Sequence, residues 1–299
     1  STLLASSAAS DVYKRQVNPA KLYNFECGTL KEGAAADIVI FASGISPSLE
    51  GEEMGVNLPG FKKGDRTDIE LPAVQRELID ALHRAGKKVI LVNCSGSPIG
   101  LEPETQKCEA ILQAWYPGQQ GGKAVAEVLF GDYNPAGKLP VTFYRNVSQL
   151  PDFEDYNMTG RTYRYMQDVP LFPFGYGLSY TTFGYGKTVL DKNELTAGQS
   201  LKLTVPVTNT GKRNGEEVVQ VYLRKQGDAE GPIKTLRAFK RVSIPAGKTV
   251  NVEFDLKDKE LEWWDDQSNT VRVCPGNYDI MVGGSSKEED LQRTTIAIK

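Results

Sequence analysis

One acidic segment carries the residue types best suited to chemistry. The stretch Gly44–Pro72, GISPSLEGEEMGVNLPGFKKGDRTDIELP, directly follows the apolar run DIVIFA. Crowded carboxylates disfavour one another's ionised forms, so at least one of them should keep its proton, as a general acid requires. The carboxylate-bearing residues of the segment are Glu50, Glu52, Glu53, Asp65, Asp68 and Glu70.

The same segment also fits a solvated acidic loop or a calcium site. It contains no Asp/Asn ladder with EF-hand spacing to support calcium. It is, however, longer than the about 12–15 residues at which structureless connections become uncommon. It also begins at the carboxyl end of an expected strand, where open α/β sheets hold their ligands. Catalysis, calcium binding and simple solvation therefore remain the alternatives.

The composition excludes several classes of protein. The 299 residues include 35 basic and 38 acidic ones, a net charge of −3, with 40% hydrophobic residues. These values are typical of a globular chain of about two domains, and they argue against nucleic-acid binding. No apolar run approaches the ~20 residues of a membrane span. Because His83 is the single histidine, a multi-histidine metal site is excluded and acid–base chemistry falls to carboxylates.

The cysteines point to no metal or redox motif. Cys27, Cys94, Cys108 and Cys274 are far apart in sequence and form no CxxC pair, so zinc ribbons and thioredoxin-like motifs are not expected. We expect buried thiols, with a Cys94–Cys108 disulfide as the alternative.

Three further features have ordinary structural interpretations. The GQQGG string lacks the ending of a phosphate-binding loop and is expected to open a helix. His83 is expected near a helix C-terminus, where a cation is mildly favoured. The adjacent Trp263 and Trp264 could stack on sugar rings, but we expect one in the core and the other at an interface.

The fold class is predicted to be α/β followed by all-β. Residues 17–144 are expected to form a partial α/β domain with a parallel sheet. Strands are predicted over Asp37–Ala42 and Lys88–Asn93, and helices over Ala73–Ala85 and Lys123–Phe130, and Ala110–Ala114 is a third short apolar run. The first helix carries Val74, Leu78 and Leu82 at a spacing of four.

Residues 186–299 change to a period of two, which predicts a β-sandwich of immunoglobulin or fibronectin type. The first alternating run is Leu201–Val207, and Pro206 within it predicts an edge strand. Residues 145–185 are aromatic and rich in loops, and we expect them to pack between the two domains.

The first 16 residues need separate treatment. They have no apolar core of a signal peptide, and DVYKRQ resembles a string that translated sequencing adapters leave in assembled reads. We expect residues 1–16 to be an artefact of sequence assembly, and the chain to be a fragment whose true beginning is missing.

Long motifs in the chain resemble a known family. LQAWYPGQQGGKAVAEVLFGDYNPAGKLPVTF, GRTYRYM and PLFPFGYGLSYTTF are similar to the C-terminal half of glycoside hydrolase family 3. VTNTGKRNGEEVVQVYL and VSIPAGKTVNVEFDL resemble the fibronectin type III-like domain of that family. LEGEEMGVNLPGFKKGDRTDIELP, with GRTYRY, most resembles its β-xylosidase branch.

The resemblance implies a retaining exo-glycosidase without cofactor or metal. In that family an N-terminal barrel supplies an aspartate nucleophile, which this chain lacks, and the α/β domain supplies the acid/base glutamate. Carried over to LEGEE, the acid/base is Glu52, Glu50 or Glu53, with Glu52 preferred. Asp65 and Arg66 are expected to order the loop or to contact the sugar.

The resemblance also implies partners and location. The substrate is expected to be an oligosaccharide with a terminal β-linked xylose, with β-glucosidase or α-arabinofuranosidase activity as alternatives. A non-catalytic carbohydrate-binding module is the alternative from another class. The barrel domain is an expected partner, without which the chain should be inactive. The sandwich should brace the other domains or mediate a homodimer, and the whole protein should be secreted or periplasmic.

Overall fold

The computed structural model describes residues 38–50, 55, 56, 58–62 and 65–299. The chain divides into two compact units, Ser1–Tyr133 and Asn134–Lys299. The expected assembly artefact at residues 1–16 and Cys27 lie outside the described residues, as do Glu52 and Glu53.

The first unit is built on a parallel sheet of three strands in the order β1–β4–β5. This confirms the predicted α/β class. Val89 and Leu91 of the central strand are fully buried. The strands are β1 Ile38–Gly44, β2 Phe61–Lys62, β3 Asp65–Arg66, β4 Lys88–Cys94 and β5 Ala110–Gln113, and the helices are α1 Pro47–Glu50, α2 Ala73–Arg84, α3 Glu102–Thr105 and α4 Gly121–Phe130.

The two longer helices begin and end close to the predicted positions. In α2 the buried residue is Ile79, whereas Val74 and Leu78 are 72% and 47% exposed, so the face marked by the four-residue spacing is not the buried one. His83 lies exposed in the last turn of α2, as predicted. Helix α4 begins within GQQGG and ends at Gly131, whose left-handed conformation closes the helix.

The second unit is the predicted β-sandwich. Its sheets have the orders β11–β10–β15–β16–β8 and β12–β9–β6, and β7 also pairs with β9. The inward residues Leu201, Leu203, Val205 and Val207 are at most 1% exposed, which confirms the alternation. The strands are β6 Phe183–Tyr185, β7 Val189–Leu190, β8 Glu194–Leu195, β9 Leu201–Asn209, β10 Gly215–Lys225, β11 Thr235–Ile244, β12 Thr249–Leu256, β13 Trp263–Asp265, β14 Thr270–Arg272, β15 Gly276–Gly283 and β16 Gln292–Ile298, and the short helices are α5 Thr162–Tyr165 and α6 Asp258–Leu261.

The prediction that Pro206 marks an edge strand is wrong. Strand β9 is central, because β12 pairs with one side and β6 and β7 pair with the other. Pro206 lies opposite the gap between β6 and β7, where its carbonyl accepts from Gly186 N–H at 2.7 Å. A missing N–H is tolerated there because no continuous strand faces it.

The aromatic segment 145–185 belongs to the second unit. Tyr163 stacks on Phe174 with ring centroids 4.3 Å apart and meets Tyr222 of β10 edge to face. Gln220 of β10 donates from Nε2 to the Gly175 carbonyl at 3.1 Å. The segment thus packs on the sheet that contains β10.

The structure also tests the predictions for the two adjacent tryptophans and for the cysteines. Trp263 is buried while Trp264 is 49% exposed, which confirms that one tryptophan lies in the core. No disulfide joins Cys94 and Cys108, so the alternative of a bridge is wrong. In the part of the chain that the structure describes, no helix is long and apolar enough to cross a membrane.

Candidate active site

The site lies where β1, β4 and β5 end on the same edge of the sheet. The end of β1 approaches β4 so closely that a Cβ on Gly44 would lie 1.9 Å from the Cys94 carbonyl oxygen. Ile45 N–H donates to that same carbonyl at 3.0 Å. The Gln75 side chain accepts from Gly44 N–H at 3.0 Å and donates to Gly44 O at 2.8 Å. The chain is therefore fixed where it leaves the sheet and enters α1.

Glu50, the last residue of α1, is held by segments that follow the other two strands. Its Oε1 accepts from the Ser97 hydroxyl at 2.9 Å, and its Oε2 lies 2.7 Å from the Tyr116 hydroxyl. Ser97 follows β4 and Tyr116 follows β5. Three strand ends thus converge on one carboxyl group.

The Tyr116 hydroxyl has two oxygen neighbours and a single proton. It lies 2.9 Å from the Ile45 carbonyl and 2.7 Å from Glu50 Oε2. Desolvation, together with the hydrogen bond and charge of Glu50, raises the pKa of Tyr116, so this hydroxyl stays neutral. The single hydroxyl proton is therefore shared between two acceptors, Glu50 Oε2 and the Ile45 carbonyl.

Gly96 has no side chain, and this leaves room for the contact between Tyr116 and Glu50. A Cβ at this position would lie 2.6 Å from Tyr116 Cε2 and 2.9 Å from Glu50 Oε2. Any larger residue must therefore displace one of the two side chains.

A network of buried polar side chains reaches the backbone carbonyl of Ser97. Asn93 is fully buried, and its Nδ2 donates to Gln113 Oε1 at 2.6 Å and to Ser95 Oγ at 3.1 Å. Ser95 Oγ in turn donates to the Ser97 carbonyl at 2.8 Å. Buried networks of this kind restrict the backbone that they bind, so the position of Ser97 is coupled to the ends of β4 and β5.

Arg66 brings positive charge to Glu50. Desolvation lowers the pKa of Arg66, while the negative charges of Asp68, Glu50 and Glu70 oppose this effect. Its Nη2 donates to the Glu70 carbonyl at 3.0 Å, and its buried Nε has no hydrogen-bond partner within the part of the chain that the structure describes. Asp65, its neighbour on β3, is exposed. Arg66 of this predicted pair therefore interacts electrostatically with Glu50.

Glu70 and Asp68 fix the end of the acidic segment. Glu70 pairs with Arg76 at 2.8 Å, and Arg76 Nε donates to the fully buried Glu104 at 2.7 Å. Asp68 Oδ1 accepts from Glu70 N–H at 2.5 Å. These carboxylates are occupied by structural contacts, which separates their role from that of Glu50.

Sequence reasoning missed Gly96, Ser97 and Tyr116. The rule that placed the acidic segment at the carboxyl end of β1 applies equally to the loops after β4 and β5, and would have found them. Glu52 and Glu53 lie outside the described residues. Among the residues that the structure describes, no group of three His, Cys, Asp or Glu side chains is arranged to hold a metal ion.

The α/β unit and the β-sandwich that follows it both contain residues that match known domain families. The model of the glycosyl hydrolase family 3 C-terminal domain matches residues 26–180, and that of a fibronectin type III-like domain matches residues 217–286. The chain belongs to glycosyl hydrolase family 3.

The names of similar proteins describe enzymes that act on β-glycosides. A xylan 1,4-beta-xylosidase of Xylanibacter ruminicola is 59% identical over 87% of this chain and 30% of its own length. A periplasmic beta-glucosidase of Salmonella typhimurium is 37% identical over 84% of this chain and 33% of its own length. A solved β-glucosidase structure from Erythrobacter marinus, 39% identical, matches with a TM-score of 0.75 over 88% of this chain and 34% of that chain. The chain thus spans about a third of the relatives that it matches.

Proposed function

We propose that this chain is part of a retaining exo-glycosidase that releases terminal β-linked xylose from oligosaccharides, and that it contributes the acid/base residue. The observation that carries the proposal is the convergence of Ser97 and Tyr116 on Glu50. The 59% identity to a xylan 1,4-beta-xylosidase supports the sugar. The names of the β-glucosidase relatives make glucose the second candidate.

The acid/base is one of Glu50, Glu52 and Glu53. Glu52 is preferred by the resemblance alone, whereas Glu50 is supported by its contacts with Ser97 and Tyr116. An acid/base must hold a proton and then accept one back. A carboxyl group hydrogen-bonded to the neutral hydroxyl of Tyr116 and to Ser97 meets that need, because both hydroxyls can donate or accept.

In this mechanism Glu50 protonates the glycosidic oxygen as the leaving group departs. The carboxylate that results faces the positive charge of Arg66 and accepts hydrogen bonds from Ser97 and Tyr116, which stabilise it. It then takes a proton from the water that hydrolyses the glycosyl-enzyme intermediate. The nucleophile is an aspartate outside this chain, which must come within ~5–5.5 Å of Glu50 in a retaining enzyme.

Three further features of the whole protein belong to this proposal. Without the nucleophile this chain alone has no glycosidase activity, because the covalent step is lost. The whole protein is exported, in keeping with a relative named as periplasmic. The sandwich braces the other domains or forms a dimer contact.

The test is a comparison of matched variants in the full-length protein. Glu50→Gln, Glu52→Gln and Glu53→Gln are each assayed on aryl β-xylosides with good and poor leaving groups. If Glu50 is the acid/base, only Glu50→Gln loses the poor substrates, keeps the activated ones and is partly rescued by azide. The same pattern in Glu52→Gln instead moves the assignment by two residues. Indifference of all three variants contradicts the role of this loop.

A further inference from the structure

We propose that the second unit carries a separate binding site for a neutral oligosaccharide, in a groove beside Trp264. The groove has a volume of about 650 Å³, within the range of about 300–1,000 Å³ that small-molecule sites occupy. All of its walls belong to the second unit. It is therefore independent of Glu50 and of the proposed hydrolysis.

Trp264 supplies an apolar surface held at a fixed angle. Its side chain is 49% exposed, and Val271 opposite it on β14 is 56% exposed. The indole Nε1 donates to Asp266 Oδ1 at 2.8 Å, so the ring is oriented before any ligand arrives. An exposed aromatic face of this kind is suited to stacking against the C–H face of a sugar ring.

Trp263 forms a rigid base beneath this surface. Its Nε1 donates to Asp228 Oδ2 at 2.6 Å, and it packs edge to face on Tyr278. The Arg237 guanidinium lies over its ring, 5.6 Å from the centroid. The two adjacent tryptophans thus have different roles. Trp263 anchors this wall of the groove, and Trp264 exposes its ring.

Hydrogen-bond donors in the wall are left without partners. Arg164 Nε, Arg237 Nε and Thr235 Oγ1 are all buried and have no hydrogen-bond partner among the described residues, and the three side chains line the groove. The other side of the Arg237 guanidinium is satisfied, since its Nη2 donates to the Glu262 carbonyl. Desolvation and the nearby charge of Arg164 lower the pKa of Arg237. A ligand that brings acceptors to these groups would relieve an unfavourable arrangement.

Acceptors line the same groove. Asp228, Glu230, Glu262 and Asp266 contribute carboxylates. The four carboxylates outnumber the two arginines of the groove, so an anionic ligand would be repelled. A neutral sugar fits both sets, because each of its hydroxyl groups donates one hydrogen bond and accepts others.

The test is a binding titration with the 299-residue chain. Xylohexaose, cellohexaose and tetragalacturonate are titrated by calorimetry, beside Trp264→Ala and a control variant, Phe239→Ala. Phe239 is an exposed aromatic residue of β11 that does not line the groove. Unchanged melting temperatures establish that both variants fold.

We expect a neutral hexaose to bind, Trp264→Ala to weaken it at least about tenfold, and Phe239→Ala to leave it unchanged. Absence of binding by both neutral sugars would overturn the proposal. So would binding that survives Trp264→Ala, or tighter binding of the acidic tetragalacturonate. None of these results depends on glycosidase activity.

Discussion

Tyr116 follows Glu50 by 66 residues in the chain, yet its hydroxyl lies 2.7 Å from Glu50 Oε2. The contact arises because β1 and β5 are parallel and flank β4, so that the loops after all three strands emerge at one edge of the sheet. The same hydroxyl lies 2.9 Å from Ile45 O. Tyr116 therefore positions Glu50 against the backbone of its own loop.

Replacement of Tyr116 by phenylalanine tests this positioning role in the full-length protein. Tyr116→Phe keeps the ring but removes the hydroxyl from Glu50. We expect kcat on poor leaving groups to fall about tenfold or more, a loss typical of one misdirected catalytic hydrogen bond, while KM and turnover of activated substrates change little. Tyr156→Phe, at a residue 89% exposed, serves as the control. An equal loss on activated substrates would indicate a general structural role instead.

Gly96→Ala should disturb the same contact by steric means. The new Cβ would lie 2.6 Å from the Tyr116 ring, so Tyr116 and Glu50 must separate. Displacement of a catalytic group by about 1 Å can reduce rates about a hundredfold, and we expect kcat on poor leaving groups to fall toward that value. Gly122→Ala is the matched control, since its Cβ would meet nothing within 4 Å. It should leave activity intact and stabilise α4 by up to about 1 kcal/mol.

The main features of the fold could be predicted because they follow from local patterns. The run Lys88–Asn93 is apolar throughout, and it forms the buried central strand. The alternation from Leu201 to Val207 likewise points every second residue into the sandwich core. The exposure of Val74 and Leu78 could not be predicted, because spacing defines a helix face but does not say which neighbour covers it.

The site could be predicted only in part. Charge density and loop length are visible in sequence and mark the acidic segment as a candidate, and its catalytic role stays a prediction. The different contacts of Glu50 and Glu70 could not be predicted, because they depend on tertiary partners: Tyr116 and Ser97 for the first, and Arg76 for the second. The prediction that Pro206 marks an edge strand was wrong for the same reason, since the gap that accommodates Pro206 lies between two other strands.

The Arg76–Glu104 pair should be essential to the stability of the first unit. Glu104 is fully buried and accepts two hydrogen bonds from the Arg76 guanidinium, at 2.7 and 3.0 Å. Arg76→Met leaves that buried charge without its partner, and loss of one member of such a pair destabilises by about 3–5 kcal/mol. We expect faster hydrogen exchange throughout β4, measured by mass spectrometry.

Two further variants distinguish the ion pair from the loss of a long side chain. Arg84→Met changes an exposed arginine of the same helix and should leave exchange in β4 unchanged. The double variant Arg76→Met/Glu104→Leu removes both charges and should recover much of the loss. If the double variant is as unstable as Arg76→Met, packing rather than the unpaired charge accounts for the effect.

The Cys108 thiol should be unreactive near neutral pH. Burial, with the negative charge of Glu104, raises its pKa to about 11, although Lys107 opposes the shift. Only the thiolate reacts with iodoacetamide, and an ordinary cysteine has a pKa near 8.5. At pH 8 we therefore expect Cys108 to react at least about a hundredfold more slowly than free cysteine. The reaction is followed by mass spectrometry of the peptide that contains Cys108.

The pH dependence provides a second test. Because the pKa of Cys108 is higher in the folded state, the neutral thiol favours the folded state below about pH 8.5, and this contribution is lost as the pH rises toward 11. The labelling rate should keep rising over that interval and should match free cysteine in urea, whereas a plateau near pH 9 would contradict the assignment.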